Sequence, residues 1–201
     1  WALLLVRLLP AAEAAWSPPP PAPPAAGGSG RMDSTTAWGS ELRGMWVDAF
    51  HAGIMTPAQI ATLIVSAHSA NANTLYVQVR RRGDSYFNET IEPRADDIPD
   101  PSFDPLAQLI AAAPGADPPI QVMAWVVTFP VWSTNYATTD PSRHVYYRHG
   151  LGRSWDDPEN WLSYQYAGGN LVASYDLDPG HPDAAQYTVD VCLHLARHYD
   201  I

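Results

Sequence analysis

Between residues 41 and 201 the chain repeats one pattern three times: a short strand-like run, alternating or continuously apolar, and then a longer run with apolar residues at helical spacing. Leu42-Arg43-Gly44-Met45-Trp46-Val47-Asp48 reads as a strand that ends in a carboxylate. After a short loop, Thr56-Pro57 supplies an N-cap and an N1 proline. Ile60, Leu63, Ile64 and Ala67 then recur at i, i+3, i+4 and i+7, which predicts an amphipathic helix ending near Asn71. In the next run Leu75, Val77 and Val79 alternate with Tyr76, Gln78 and Arg80, a second strand with polar chemistry at its carboxyl end. A long polar, proline-punctuated loop follows, from Arg81 to Asp104. Asp104-Pro105 repeats the cap-and-proline signal, and Leu106, Leu109 and Ile110 carry a second helix to Pro114.

Ile120 to Val127 is apolar at nearly every position, as expected of a parallel strand covered on both faces. Residues 128–180 form a connection rich in Trp, Tyr, Asp and Gly, far longer than an ordinary βα loop and therefore either functional or partly disordered. Asp183 to Tyr199 predicts a third helix, with Tyr187, Val191, Leu195 and Tyr199 along one stripe; Asp178-Pro179-Gly180 reads as its capping segment.

Alternating strands and helices imply an α/β fold with a parallel sheet and right-handed crossovers. An open doubly wound sheet usually carries a glycine-rich phosphate loop after its first strand, and Asp48-Ala49-Phe50-His51-Ala52-Gly53 is not one. A (β/α)8 TIM-type barrel places its site on the loops after the strands, and here those loops are the long, aromatic and charged ones. The barrel is the expected fold, with only about three βα units before the chain reaches Ile201, where a fourth strand is due.

Composition narrows the partners. Lys+Arg 11 against Asp+Glu 21 gives a net charge of -10, which repels phosphates over most of the surface and argues against nucleic acid. Eight Trp and ten Tyr on an acidic chain suit sugars, whose C–H faces pack on rings while their hydroxyls bond to carboxylates. Residues 1–16 contain an apolar run too short for a bilayer and an Ala12-Glu13-Ala14 cleavage-like pattern, and resemble the end of a signal peptide; secretion or the cell envelope is the expected location. Residues 17–40 are rich in Pro, Ala and Gly and read as a linker. Cys192 is the single cysteine and forms no internal bridge.

The segment from Glu41 to Ile201 resembles the N-terminal part of the glycosyl hydrolase-like 10 family, a DUF187-type barrel. The residues that carry the resemblance are Leu42-Arg43-Gly44-Met45-Trp46-Val47, Val77-Gln78-Val79-Arg80 with Gly83-Asp84-Ser85-Tyr86, Glu92-Pro93, Phe103-Asp104-Pro105-Leu106, Val122-Met123-Ala124-Trp125 and Leu177-Asp178-Pro179-Gly180-His181-Pro182. The resemblance implies a secreted or envelope-associated barrel acting on polysaccharide. It also implies that the main catalytic acid lies on a further strand beyond Ile201, so that this segment alone is expected to be inactive.

Glycoside hydrolysis needs two carboxyl groups about 5 to 9.5 Å apart. Asp48 and Asp84 are the catalytic candidates at strand ends, each with a structural alternative: Asp48 as a loop-closing acid, Asp84 as the partner of Arg80, Arg81 or Arg82. Asp48, Gln78, Arg80, Asp84, Trp125 and Trp132 form the expected substrate-binding set. Gln78 and Arg80 share a strand face with Tyr76, and an amide beside a guanidinium suits an acidic sugar or a peptidoglycan-type substrate; an internal polar layer is the alternative. Trp125 reads equally as sugar platform or core, and Trp132, Trp155 and Trp161 as subsites or loop packing. The expected partner is thus a carbohydrate, bound without cofactor or membrane span, either by a glycosidase or by a non-catalytic carbohydrate-binding barrel.

Arg82-Gly83-Asp84 spells an adhesion tripeptide but lies inside a block that carries the resemblance. Asn88-Glu89-Thr90 is a glycosylation sequon that matters only in a eukaryotic secretory pathway. His194 and His198 are spaced i, i+4 on a helix without the Glu of a metalloprotease motif, so they read as solvent-facing and no metal is expected.

Overall fold

A computed structural model describes residues 41–134 and 136–201. The expectations for residues 1–40, a signal-like start and a linker, lie outside the described residues.

The first half forms as the pattern predicts. Strands β1 (Gly44–Val47), β2 (Thr74–Arg80) and β3 (Gln121–Val126) make a parallel sheet in the order β1-β2-β3. The intervening helices are α1 (Pro57–Ser69) and α2 (Pro105–Ala112), the latter running into a 3-10 turn, Ala113–Gly115. Both predicted caps form. The Thr56 hydroxyl accepts the Gln59 N–H at 3.2 Å, and Asp104 Oδ1 accepts that of Ala107 at 2.9 Å, so each helix starts at its proline.

Alternation divides the sheet into two unlike faces. Leu75, Val77 and Val79 are sealed in a core with Ile60, Leu63 and Ala67 of α1 and Leu106 and Leu109 of α2. The opposite face carries Trp46, Tyr76, Met123 and Trp125, and no helix of this first core covers it; Trp46 is 54% exposed and Met123 38%. The strand register sets Trp46 beside Tyr76 and Gln78 beside Trp125. The expectation that Ile120 to Val127 is covered on both faces is therefore corrected: Val122 is buried, but the other side of β3 is open.

The second half departs further from its reading. Residues 128–134 and 136–180 are arranged around a separate aromatic core. They contain a short helix α3 (Val145–His149) and an antiparallel hairpin, β4 (Leu162–Ala167) and β5 (Asn170–Leu177). Val131, Val145, Tyr146, Leu162, Leu177 and Ala184 fill that core, with Trp132, Trp161 and Tyr187 packed against it. Helix α4 (Pro182–His198) joins the two halves, since its Ala184 lies in the aromatic core and its Leu195 in the first. Asp178 does not cap α4. His181 occupies the N-cap, and Asp178 Oδ1 accepts the Gly180 N–H at 2.8 Å, closing the turn that precedes the helix. Among the described residues no helix is long and apolar enough to cross a membrane.

Candidate functional site at the carboxyl end of the sheet

The carboxyl end of β2 is a buried ionic network. Arg80, 1% exposed, forms a two-pronged pair with Glu92, itself 0% exposed: Nε donates to Oε2 at 2.6 Å and Nη2 to Oε1 at 2.7 Å. Its Nη1 donates to the Thr128 carbonyl at 2.8 Å and to that of Val127, tying β2 to the end of β3. Glu92 also accepts from the Tyr187 hydroxyl at 2.8 Å and the Ser85 hydroxyl at 3.4 Å. Burial alone would favour loss of the Arg80 proton, but the Glu92 carboxylate outweighs it and holds the guanidinium charged, above its ordinary range. Burial, reinforced by the charge of Glu92, pushes the Tyr187 hydroxyl well above its ordinary value and keeps it a donor.

A second pair lies beside the first. Arg81 Nη2 donates to Asp84 Oδ2 at 3.0 Å, and its Nη1 to Asp97 at 2.9 Å and to the Ala49 carbonyl at 2.7 Å. Asp84, 0% exposed, uses its other oxygen to accept the Arg82 N–H at 2.8 Å. The adhesion tripeptide is thus folded inward. Gly83 makes this reversal possible: its φ is +78°, and a Cβ there would stand 3.2 Å from the His144 ring. Gln78 is buried as well, its Oε1 accepting the Ala49 N–H at 2.9 Å, which fixes the loop after β1.

The structure therefore places three of the polar candidates, Gln78, Arg80 and Asp84, in the internal polar layer, with their groups engaged by protein. Asp48 remains partly exposed. It closes its own loop by accepting the N–H groups of Phe50 at 2.7 Å and His51 at 3.1 Å, and it pairs with the His51 ring at 2.9 Å. Slight burial raises its pKa, but the Phe50 N–H and His51 prevail and lower it, so the group is held ionised.

The aromatic groups behave differently. Trp46 stacks on Tyr76 with ring centroids 4.7 Å apart and meets Trp125 edge-on at 5.1 Å, giving a row of rings across all three strands. Trp46 and Tyr76 were not among the substrate-binding candidates, although the alternation of β1 already puts Trp46 on the face of Asp48. Trp132 lies elsewhere, stacked on Tyr146 at 4.8 Å within the aromatic core, its indole N–H without a partner among the described residues. Trp161 packs flat on His149 at 3.6 Å, while Trp155 is 64% exposed. The sequence also left Glu92, Asp97 and Tyr187 without a role; Glu92 was visible only as part of a resemblance block.

A parallel βα sheet with an exposed aromatic face and ionised groups at its carboxyl end belongs to the class of α/β folds that bind ligands where strands give way to loops. The glycosyl hydrolase-like 10 family model matches residues 41–201, and the chain belongs to that family. A comparison with curated proteins found no match.

Proposed function

We propose that this chain is part of a secreted or cell-envelope (β/α)8 glycoside hydrolase that cleaves O-glycosidic bonds in a polysaccharide or cell-wall glycan, and that residues 41–201 supply its first three strands and part of its substrate-holding surface. The observation that carries this reading is the sheet face bearing Trp46, Tyr76 and Trp125, which no helix of the first core covers among the described residues, with ionised Asp48 at its carboxyl end. Barrel closure by further strands would turn the layer of Trp46, Tyr76 and Met123 inward. Trp125 and Asp48, one step nearer the carboxyl end, would then line the mouth, where a ring can stack on a sugar and a carboxylate can accept its hydroxyls. β1 and β3, each paired on one side only among the described residues, are the edges such strands would pair.

The cleaving acid is assigned to a strand beyond Ile201. Asp84 and Glu92 are sealed in ion pairs, and Asp48 by itself cannot both protonate the leaving oxygen and attack or activate water. That same commitment of acids favours the second reading, a barrel that binds glycan without cleaving it.

The deciding experiment uses the full-length protein with the sequence that follows Ile201, incubated with peptidoglycan and with soluble polysaccharides. Release of reducing ends, lowered about tenfold or more by Trp125→Ala through weaker binding, is the expected result. Binding without release would establish the second reading, and neither binding nor release would overturn both.

A further inference from the structure

His194 and His198 stand one turn apart on α4, so their rings share a face, with centroids 4.1 Å apart. Two imidazoles at this spacing offer two ligand atoms, and the sequence shows no third beside them. The fold supplies it from more than 100 positions away: the loop after β2 brings Glu89 to the pair, and one ligand atom from each of the three residues lies within 4.8 Å of the other two.

The loop is anchored where Glu89 needs it. Tyr199, the residue after His198, accepts the N–H groups of Asn88 at 3.0 Å and Glu89 at 3.2 Å on its hydroxyl oxygen and donates to Asp104 at 2.6 Å. Its ring packs edge-on against Phe87 at 5.5 Å. The backbone bearing the carboxylate and the helix bearing the imidazoles are therefore held by one side chain.

One imidazole is also pre-set. His198 Nδ1 lies 2.7 Å from the His194 carbonyl oxygen, a contact that requires the proton on Nδ1 and leaves the lone pair of the neutral ring on Nε2. A backbone carbonyl holding the far nitrogen is the usual second partner of a metal-bound histidine. The pair sits in the last two turns of α4, where the helix dipole favours a cation, on a chain with a net charge of -10.

We propose that Glu89, His194 and His198 form a binding site for a divalent transition metal of the zinc class, with solvent completing the coordination. Two imidazoles and a carboxylate suit zinc and not magnesium or calcium, which take oxygen ligands. Tetrahedral zinc with bonds of about 2.0–2.1 Å needs ligand atoms about 3.3 Å apart. A modest rotation of two exposed side chains, Glu89 and His198, brings them from their present spacing to that distance. The ion would staple the loop after β2 to α4, independently of any glycan bound at the sheet.

The test uses the 201-residue chain without a polyhistidine tag, stripped with EDTA and titrated calorimetrically with zinc chloride and, separately, magnesium chloride. One equivalent of zinc, no magnesium and a zinc-dependent rise in melting temperature are expected. His194→Ala and His198→Ala should abolish saturable uptake, and Glu89→Gln should weaken it about tenfold or more, since loss of a ligand costs at least what loss of its second-shell partner does. Cobalt(II) gives a second readout, with intensified visible absorption in the parent chain that disappears in His194→Gln. Zinc uptake unchanged in the histidine variants, or no saturable uptake by the parent chain, would overturn the proposal.

Discussion

Arg80 on β2 and Trp125 on neighbouring β3 both belong to the substrate-binding set expected from sequence, and the fold gives them opposite surroundings. Arg80 is enclosed, with its donors shared between Glu92 and two carbonyls, whereas Trp125 joins a row of rings on a face that no helix of the first core covers. Position at a strand's carboxyl end therefore does not distinguish a side chain on an open face from a clamp. What distinguishes them is whether a partner arrives from a distant loop: Glu92 reaches Arg80 from twelve residues on, and Tyr187 reaches Glu92 from α4.

The largest effect expected from this contrast is on stability. Arg80→Ala leaves Glu92 buried without its principal partner, which should cost about 3–5 kcal/mol. Trp46→Ala on the open face should cost less, about 1–2 kcal/mol, because the residue is more than half exposed and loses mainly its two ring contacts, to Tyr76 and Trp125. Urea unfolding of both variants measures the gap. Equal losses would mean that the open face is as structural as the ionic network, and the division between clamp and platform would fail.

Gly83→Ala comes next in size. Alanine at a φ of +78° costs about 1–2 kcal/mol, and its Cβ would also press on the His144 ring at 3.2 Å. Thermal unfolding should show that loss, while Gly152→Ala, at a φ of +76° with no atom near its Cβ, should show the conformational part alone. If the two variants lose the same stability, the fit of Gly83 against His144 is slack and the network is less tightly sealed than its burial indicates.

The parts of this molecule legible in the sequence are those fixed by neighbours a few positions apart. Thr56-Pro57 and Asp104-Pro105 mark helix starts because cap and proline act on the adjacent turn, and Leu75, Val77 and Val79 mark a buried face because strand alternation is local. The hairpin β4–β5 was also locally signalled. Gly168-Gly169 joins two stretches rich in Tyr, Val and Leu, a two-residue turn pattern that the length of the 128–180 connection obscured. The Arg80–Glu92 pair and the meeting of Glu89 with His194 and His198 depend on tertiary contacts, and no spacing within one element announces them. For the same reason Gln78, Arg80 and Asp84 read as a rim: sequence gives their chemistry but not the loop that closes over them.

The smallest expected effect concerns pH and sharpens the same contrast. His144 lies under the Arg82-Gly83 backbone, fully buried. Its Nε2 is 2.9 Å from the Arg82 carbonyl oxygen, and its Nδ1 accepts the Tyr146 N–H at 3.3 Å as the N-cap of α3. Donation from Nε2 and acceptance at Nδ1 require the neutral ring. Burial lowers its pKa and Arg80 adds to this, while the Arg82 carbonyl, Glu92 and Asp84 oppose it without reversing the shift. The unfolded chain therefore binds a proton that the folded chain resists, so stability is greatest above the ordinary histidine value of 6.5 and declines as pH falls through it toward the lowered folded value. Asp48 on the open side also has a lowered pKa, but its contribution to stability is fully present above the ordinary carboxylate value of 3.8 and is lost only as pH falls below that, outside the histidine window. Melting temperature followed from about pH 7.5 to about pH 5 should fall in the parent chain. The decline should be shallower in His144→Asn, whose amide retains N-capping ability without titrating, and unchanged in Asp48→Asn. A His144→Asn curve parallel to the parent's would show that the sealed network does not depend on a neutral His144.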